Sequence, residues 1–334
     1  MPKVYFVTLP NGYFGSAGQS WLSLDLTKLS QDLKELGFKI HITTIDDVIY
    51  NESINIKDIV IYTSSEIEPV RQYIKDVMYV LSKKCRLVPS YDLLMAHENK
   101  GFQELLRMDR GFGDLHGAYF FDHVKLPENY PYIYKNTNGA GSSGVKLVTS
   151  CKVRSNIIKA KERVGLKRKL ITLARKIKLS KEQFFIYKYN KKKFSGFVVQ
   201  EFLKGLKFDY KILVFWGRFF VLKRNIKEGD FRASGSGLFE FEKPSDELLS
   251  YANMIFKKLD VPYASLDIAV TSKGYHLIEF QALNFGPYTL INSPGYYYFL
   301  DEKWCFVKTT SSLEQEFSRS LAGFVRDKYL VDRV

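Results

Sequence analysis

The chain has 334 residues, 46% of them hydrophobic and 26% charged, with 22 Tyr and 26 Phe. This composition excludes a disordered or fibrous chain and provides for two or three packed domains. Fifty Lys and Arg against 36 Asp and Glu leave a net charge of +14, which favours anionic partners such as nucleotides, nucleic acid, anionic glycans or membrane surfaces without choosing among them.

Cys85, Cys151 and Cys305 are widely separated and form no C-x-x-C pair. They indicate neither a disulfide framework nor a structural zinc site, and they fit a reducing compartment. No run approaches the roughly 18 apolar residues of a helical membrane span. The N-terminal apolar run is too short for a signal peptide and ends in a turn. A cytoplasmic protein is expected.

In chain order, "KVYFVTL" is β-rich and stops at the turn signal "PNG". Leu22, Leu26, Leu29, Leu33 and Leu36 then recur at helical spacing, with Gly37 as the C′ residue. "FKIHITTI", "DIVIYTS" and "CRLVPS" read as strands and "EPVRQYIKDVMYVLSKK" as a helix. This alternation over residues 1–92 predicts an α/β domain with a mostly parallel sheet. The loop "LPNGYFGSAGQS" after the first strand lies where open α/β sheets often bind ligands, and is a candidate part of a substrate pocket.

Residues 93–196 read as a central part. It starts helical in "SYDLLMAHENKGFQELLRM", loosens, and reaches "PYIYKNTNGAGSSGVKLVTS". Residues 151–196 are rich in Lys and Arg and nearly free of acids. From 197 to 334, "GFVVQEFL", "FDYKILVFW", "GRFFVLKRN", "ASLDIAVT" and "GYHLIEFQA" are strands with short turns, and "SDELLSYANMIFKKLD" is a helix. The final helix opens with a capping-box pattern, Ser311 to Glu314, and carries Leu313, Phe317, Leu321 and Phe324 on one face.

Gly139, Gly141 and Gly144 spell G-x-G-x-x-G. A P-loop needs Lys then Ser or Thr after the last glycine, and Val145 follows instead. A dinucleotide fingerprint needs a helix next, whereas "VKLVTS" alternates like a strand. Strand, glycine loop and strand make a hairpin whose tip either is plain or covers phosphates with its backbone N–H groups. No H-R-D or D-F-G accompanies it, so it is not a protein-kinase flap.

Downstream, Asp209, Lys211 and Arg224 sit on a hairpin, Asp267 lies inside an apolar strand, and Glu279 ends another, with Gln281 and Asn284 after it. Separated acids on neighbouring strands beside cations suit Mg2+ bridging nucleotide phosphates. Arg224 alternatively pairs with Glu228 or Glu240. His97, His116, His123 and His276 read as packing or surface residues.

This ordered series, over roughly residues 95–290, resembles the ATP-grasp superfamily of carboxylate–amine ligases. The resemblance implies an α/β and α+β protein: an N-terminal pre-ATP-grasp domain, then two subdomains, 93–196 and 197–334, with ATP between them. It implies phosphate-binding roles for Lys100 and Lys135, and a flap from Asn138 through Gly139, Gly141, Ser142 and Ser143 to Gly144. Gln200, Glu201, Phe202 and Leu203 would form the adenine hinge. Asp209 and Lys211 resemble the family's D-x-R pair with Lys for Arg. Arg224, with Lys211 and Arg232, would serve the acyl-phosphate chemistry. Asp267 and Glu279 would bind Mg2+, with Mn2+ as the alternative ion.

The sequence departs from the family where E-x-N reads Glu279-Phe280-Gln281, so Gln281 or Asn284 completes the metal shell, and where Ser234 replaces an Asn. The implied reaction joins a carboxylate to an amine at the expense of ATP through an acyl phosphate. The expected substrate is a small molecule, a peptide or a bacterial surface glycan. A nucleotide-binding regulator without turnover and a phosphotransferase on the same fold are the alternatives. The tract 151–196 has three readings: a solvated basic helical insertion, a platform for an anionic polymer such as a uronic-acid glycan, and a membrane-surface or nucleic-acid patch. No nucleic-acid signature appears, and an oligomer is compatible with the sequence.

Overall fold

The computed structural model describes residues 2–15, 18–19, 21–112, 115–138, 144–162, 166–190 and 195–329. The first region contains β1 (Lys3–Thr8), α1 (Leu26–Leu29), α2 (Gln31–Glu35), β2 (Lys39–Thr44), α3 (Ile45–Val48), β3 (Ile59–Tyr62), α4 (Glu68–Leu81), β4 (Arg86–Val88), α5 (Tyr91–Ala96) and α6 (Lys100–Asp109). Next come β5 (Gly117–Phe120), β6 (Tyr132–Asn136), β7 (Val145–Val148), α7 (Cys151–Glu162), α8 (Leu166–Lys178), α9 (Lys181–Asn190) and β8 (Phe197–Glu201). The remainder holds β9 (Phe208–Phe215), β10 (Arg218–Asn225), β11 (Phe239–Glu240), α10 (Asp246–Leu259), β12 (Tyr263–Thr271), β13 (Gly274–Gln281), α11 (Tyr288–Asn292), β14 (Gly295–Leu300), β15 (Lys303–Lys308) and α12 (Leu313–Tyr329).

Contacts group the chain into two compact units, 1–115 with 203–334, and 116–202. This partition is coarser than a three-part division by sequence pattern, because the first and last regions share a core. That core joins Val4, Phe6, Ile59 and Ile61 of the first sheet to Leu213, Phe215, Phe317, Leu321 and Phe324.

The larger unit holds a parallel sheet of order β2-β1-β3-β4. It also holds an antiparallel sheet of order β13-β12-β9-β10-β14-β15, with β11 paired to β10. Side-chain alternation sorts the second sheet into two faces. Tyr210, Ile212 and Val214 of β9, with Leu266 and Ile268 of β12, pack against Leu249, Ala252, Ile255 and Phe256 of α10. On the opposite face, Leu213 and Phe215 belong to the core shared with α12. Farther along β9 on that same face, the parity of the strand places Lys211 and Asp209.

The smaller unit is an antiparallel sheet of order β5-β8-β6-β7. One face buries Tyr132, Tyr134, Phe197 and Val148 with Ile157 of α7. The β6–β7 hairpin runs in antiparallel register, as the strand reading of "VKLVTS" requires.

Local details differ from the sequence pattern. The leucine repeat folds as two short helices rather than one, with Leu22 exposed before them. Ser30 breaks it: its hydroxyl donates to the Thr27 carbonyl at 3.1 Å, the local side-chain bond that competes with helix propagation. The last helix is capped one residue later than Ser311. The Ser312 hydroxyl accepts from Gln315 N–H at 3.3 Å, because Ser312–Gln315 offers the same spacing. The 91–109 stretch is two helices, interrupted where Glu98 adopts φ +52°.

Candidate active site

The polar end of the antiparallel sheet is built by cross-strand register. Arg224 lies opposite Asp209, Lys211 opposite Asp267, and Asp267 opposite Glu279. Directly paired residues share a face, so four neighbouring strands deliver these five side chains to one patch. A register shift after Asp267 keeps Glu279 on this face although Leu277 and Phe280 both belong to the core, which is what a bulge does to a strand.

Arg224 forks onto Asp209, donating from Nε to Oδ1 at 2.6 Å and from Nη2 to Oδ2 at 2.8 Å. Its Nη2 also lies 3.0 Å from Asp267 Oδ2. Lys211 donates to Ser265 Oγ at 2.9 Å and to Asp267 Oδ1 at 3.4 Å. Lys100 opens α6, next to the break at Glu98, and donates to Glu279 Oε1 at 3.1 Å. The N-cap Asn99 positions that turn by accepting from Phe102 N–H at 3.1 Å. Three acids thus face three cations. Arg224 and Asp209 are 6% and 3% exposed, and buried charges persist only when paired in this way.

The electrostatics follow from the burial. Burial pushes Asp267 up, but the Arg224 and Lys211 charges outweigh it and lower its carboxyl to about 2. Burial raises Asp209 to about 6, against the pull of Arg224 and with the help of neighbouring Asp267. Arg224 remains a fixed cation, held up by Asp267 and Asp209 against its own burial. Neither Glu228 nor Glu240, the partners suggested by sequence proximity, holds it; β-register brings Asp209 and Asp267 instead.

Asp267 and Glu279 could offer carboxylate oxygens to a divalent ion. Among the described residues no cluster of three or more His, Cys, Asp or Glu could close around a metal. Two carboxylates nevertheless suit Mg2+, which keeps several waters and shares its shell with substrate phosphates. Gln281 stands opposite Ser265, on the Glu279 face. Asn284 is engaged elsewhere: its Oδ1 accepts from Thr63 Oγ1 at 3.2 Å and its Nδ2 donates to the Ser64 carbonyl at 2.9 Å. Thr63 Oγ1 also accepts from Gly15 N–H at 2.9 Å, so Asn284 ties the loop after β1 to the end of β13. Arg232 forks onto Asp230 within its own exposed loop, at 3.0 and 2.9 Å. Among the described residues no hydrogen bond or ion pair links it to the cluster. Leu203 is half-buried just after the smaller unit ends.

In the smaller unit, Lys135 is 6% exposed and lies opposite Val198, with Ile133 opposite Gln200. Lys135, Ile133, Val198 and Gln200 therefore share the face opposite the tyrosine-rich core. Asn136 N–H donates to the Gly144 carbonyl at 3.1 Å and closes the hairpin. Gly144 adopts φ +77°, and a Cβ there would strike the Asn136 side chain, so the third glycine of the motif is required by the backbone. Asn138 is exposed, whereas Gly139, Gly141, Ser142 and Ser143 lie outside the described residues. Gln200 is buried, Glu201 exposed and Phe202 half-buried. The Glu201 N–H donates to the His116 carbonyl at 2.8 Å.

A second cationic cluster escapes sequence reading. Arg71 and Lys75 occupy apolar-stripe positions on α4 beside Ile74 and Met78 and are buried. Arg71 Nη1 donates to the Ser65 and Glu66 carbonyls at 3.0 and 2.9 Å. Lys75 makes no hydrogen bond or ion pair among the described residues, and burial, then Arg71, lowers its pKa. His97 is buried, and among the described residues neither ring nitrogen is hydrogen-bonded. Burial, with Arg71 and Lys75 nearby, lowers its imidazole to about 3. The available signal was two cations four residues apart on the buried side of an amphipathic helix.

No family model matches the sequence, and no curated protein matches it. Solved structures do. D-cycloserine synthetase DcsG shares 10% identity over 96% of this chain and 98% of its own, with a TM-score of 0.54. An ADP complex of purK, N5-carboxyaminoimidazole ribonucleotide synthetase, shares 12% over 97% and 77%, at 0.55. ATP-grasp ligase PsnB with its minimal precursor shares 13% over 97% and 99%, at 0.52. At these identities the likeness speaks for architecture, and that architecture matches the expectation drawn from the ordered motifs: this chain has the ATP-grasp fold.

Proposed function

We propose that the chain is an ATP-dependent carboxylate–amine ligase that forms an amide or peptide bond through an acyl phosphate. The observation that carries this reading is the charge-balanced patch of Lys100, Asp209, Lys211, Arg224, Asp267 and Glu279 on one face of the sheet. No protein nucleophile is required. A substrate carboxylate oxygen attacks the γ-phosphorus while the bond to the bridging oxygen breaks and ADP leaves. The amine nitrogen then attacks the acyl carbon, gives up a proton, and inorganic phosphate departs.

The residues act by positioning and by neutralising charge. Lys100 and Lys211 exchange their carboxylate partners for phosphate oxygens. Asp209 fixes the guanidinium plane of Arg224. The Nη1 of Arg224 makes no hydrogen bond among the described residues, which leaves it for the oxyanion that develops at the acyl carbon. Asp267 and Glu279 would hold Mg2+, or Mn2+ in its place, with Gln281 favoured over Asn284 as a further donor because the Asn284 amide is already engaged. When bound, that ion supplies neutralisation of the triphosphate. Lys135 and the glycine hairpin are assigned to the phosphates. Gln200, Glu201, Phe202 and Leu203 are assigned to adenine. An acidic co-substrate, small molecule, peptide or glycan, suits the Arg71, Lys75 and His97 cluster.

The test supplies ATP and Mg2+ with pools of carboxylates and amines and follows ADP. Release that needs both partners supports ligation. Release with a single partner points to a phosphotransferase, and the absence of release with any pool points to a nucleotide-binding regulator.

A further inference from the structure

The net charge of this chain resides in one segment. Residues 151–196 hold sixteen of the 50 Lys and Arg and two of the 36 Asp and Glu, so the rest carries thirty-four of each and is neutral. Part of the segment is firmly packed. Ile157 of α7 is buried in the smaller unit's core, with Val153 and Ile158 against it. Arg154 Nε donates to the Leu126 carbonyl at 3.0 Å.

The pair α8 and α9 differs. The Arg175 guanidinium of α8 lies 6.0 Å from the Tyr187 ring of α9, yet none of the described α9 residues is buried. Leu170, Leu173 and Ile177 are 63%, 59% and 82% exposed. Their i, i+3, i+7 spacing lines them along one face of α8. At 100° per residue, Lys178 falls on one flank of that stripe and Lys176 on the other, while Arg175 lies on the far side. Phe185 and Ile186 of α9 are exposed as well.

We propose that the α8–α9 pair is an interfacial anchor that lays Leu170, Leu173 and Ile177 into an anionic lipid surface. An apolar stripe between cationic flanks matches a boundary where acyl chains lie beneath negative headgroups. A soluble polyanion, glycan or nucleic acid, would satisfy the cations and leave the stripe in water. A second copy of the chain would bring another tract of the same sign and repel it. The neutral remainder of the chain does not oppose approach to a negative surface. The inference is independent of the reaction catalysed.

The test is flotation of the full chain with vesicles of phosphatidylglycerol and phosphatidylcholine, compared with phosphatidylcholine alone. Binding to the anionic vesicles only, weakened by salt, is expected. The triple substitution Leu170→Gln, Leu173→Gln, Ile177→Gln leaves charge unchanged and is expected to weaken binding about tenfold or more. Its far-UV circular dichroism and its thermal shift with ATP should match the wild type. Equal binding by the triple variant would show attraction by charge alone, as for a polyanion receptor, and would overturn the proposal. So would failure of the wild type to float, even if it is retained on a heparin-type polyanion.

Discussion

Arg224→Ala removes the centre of the polar patch. The wild-type guanidinium makes contacts of 2.6 and 2.8 Å to Asp209 and 3.0 Å to Asp267, and Asp209 is 3% exposed. Deleting the cation strands a buried carboxylate, which costs about 3–5 kcal/mol in comparable settings. Losing a positioned donor at a developing oxyanion costs about 10²–10³ in turnover. The variant is therefore expected to unfold at markedly lower urea, still to gain thermal stability from ATP, and to release ADP at least about a hundredfold more slowly. Asp209→Asn separates the two effects, since it keeps the Arg224 charge and removes only its fixed plane. Its loss of turnover should be smaller than that of Arg224→Ala. Near-normal turnover by Arg224→Ala would refute the catalytic role, and unchanged urea stability would refute the buried clamp.

Glu279→Gln keeps the shape of the side chain and removes one of two paired carboxylates; the Mg2+ concentration for half-maximal ADP release should rise about tenfold or more. The His97 imidazole is lowered to about 3 in the fold against an ordinary value near 6.5, so the unfolded chain binds the proton first. Its contribution is complete above about pH 6.5 and falls by about 1.4 kcal/mol per unit as pH drops toward 3. Urea unfolding of the wild type should therefore lose about 2 kcal/mol more than His97→Gln between pH 6.5 and 4.5, and parallel curves would refute this. Gly144→Ala forces a side chain into φ +77° against Asn136; strain of about 1–3 kcal/mol should lower the melting temperature and reduce stabilisation by ATP.

Much was legible in the sequence because it follows from local periodicity. The alternation in "FDYKILVF" already separates Asp209 and Lys211 from Tyr210 and Ile212, and "LDIAV" already marks an acid within an apolar strand. The glycine motif implied strand, turn and strand because "VKLVTS" alternates. The edge strand β5 was not legible, since "GAYF" is too short to show a period and is defined by pairing with β8. The β14–β15 hairpin was missed for a related reason. Its turn places Asp301 and Glu302 at φ +47° and +62°, where Asn-Gly is the usual signal.

Short-range pattern accounts for the strands, the amphipathic helices, the ordered polar motifs and the concentration of charge in residues 151–196, all of which depend on neighbours within a few positions. The tertiary structure decided which charges meet. Asp209 and Arg224 are fifteen residues apart, Lys211 and Asp267 fifty-six, and Lys100 and Glu279 one hundred and seventy-nine. Their pairing is set by β-register, a bulge after Asp267 and the helix break before Lys100. These are long-range features: a strand's own pattern says which face a residue takes, but only its neighbour's position along the sheet says what stands beside it.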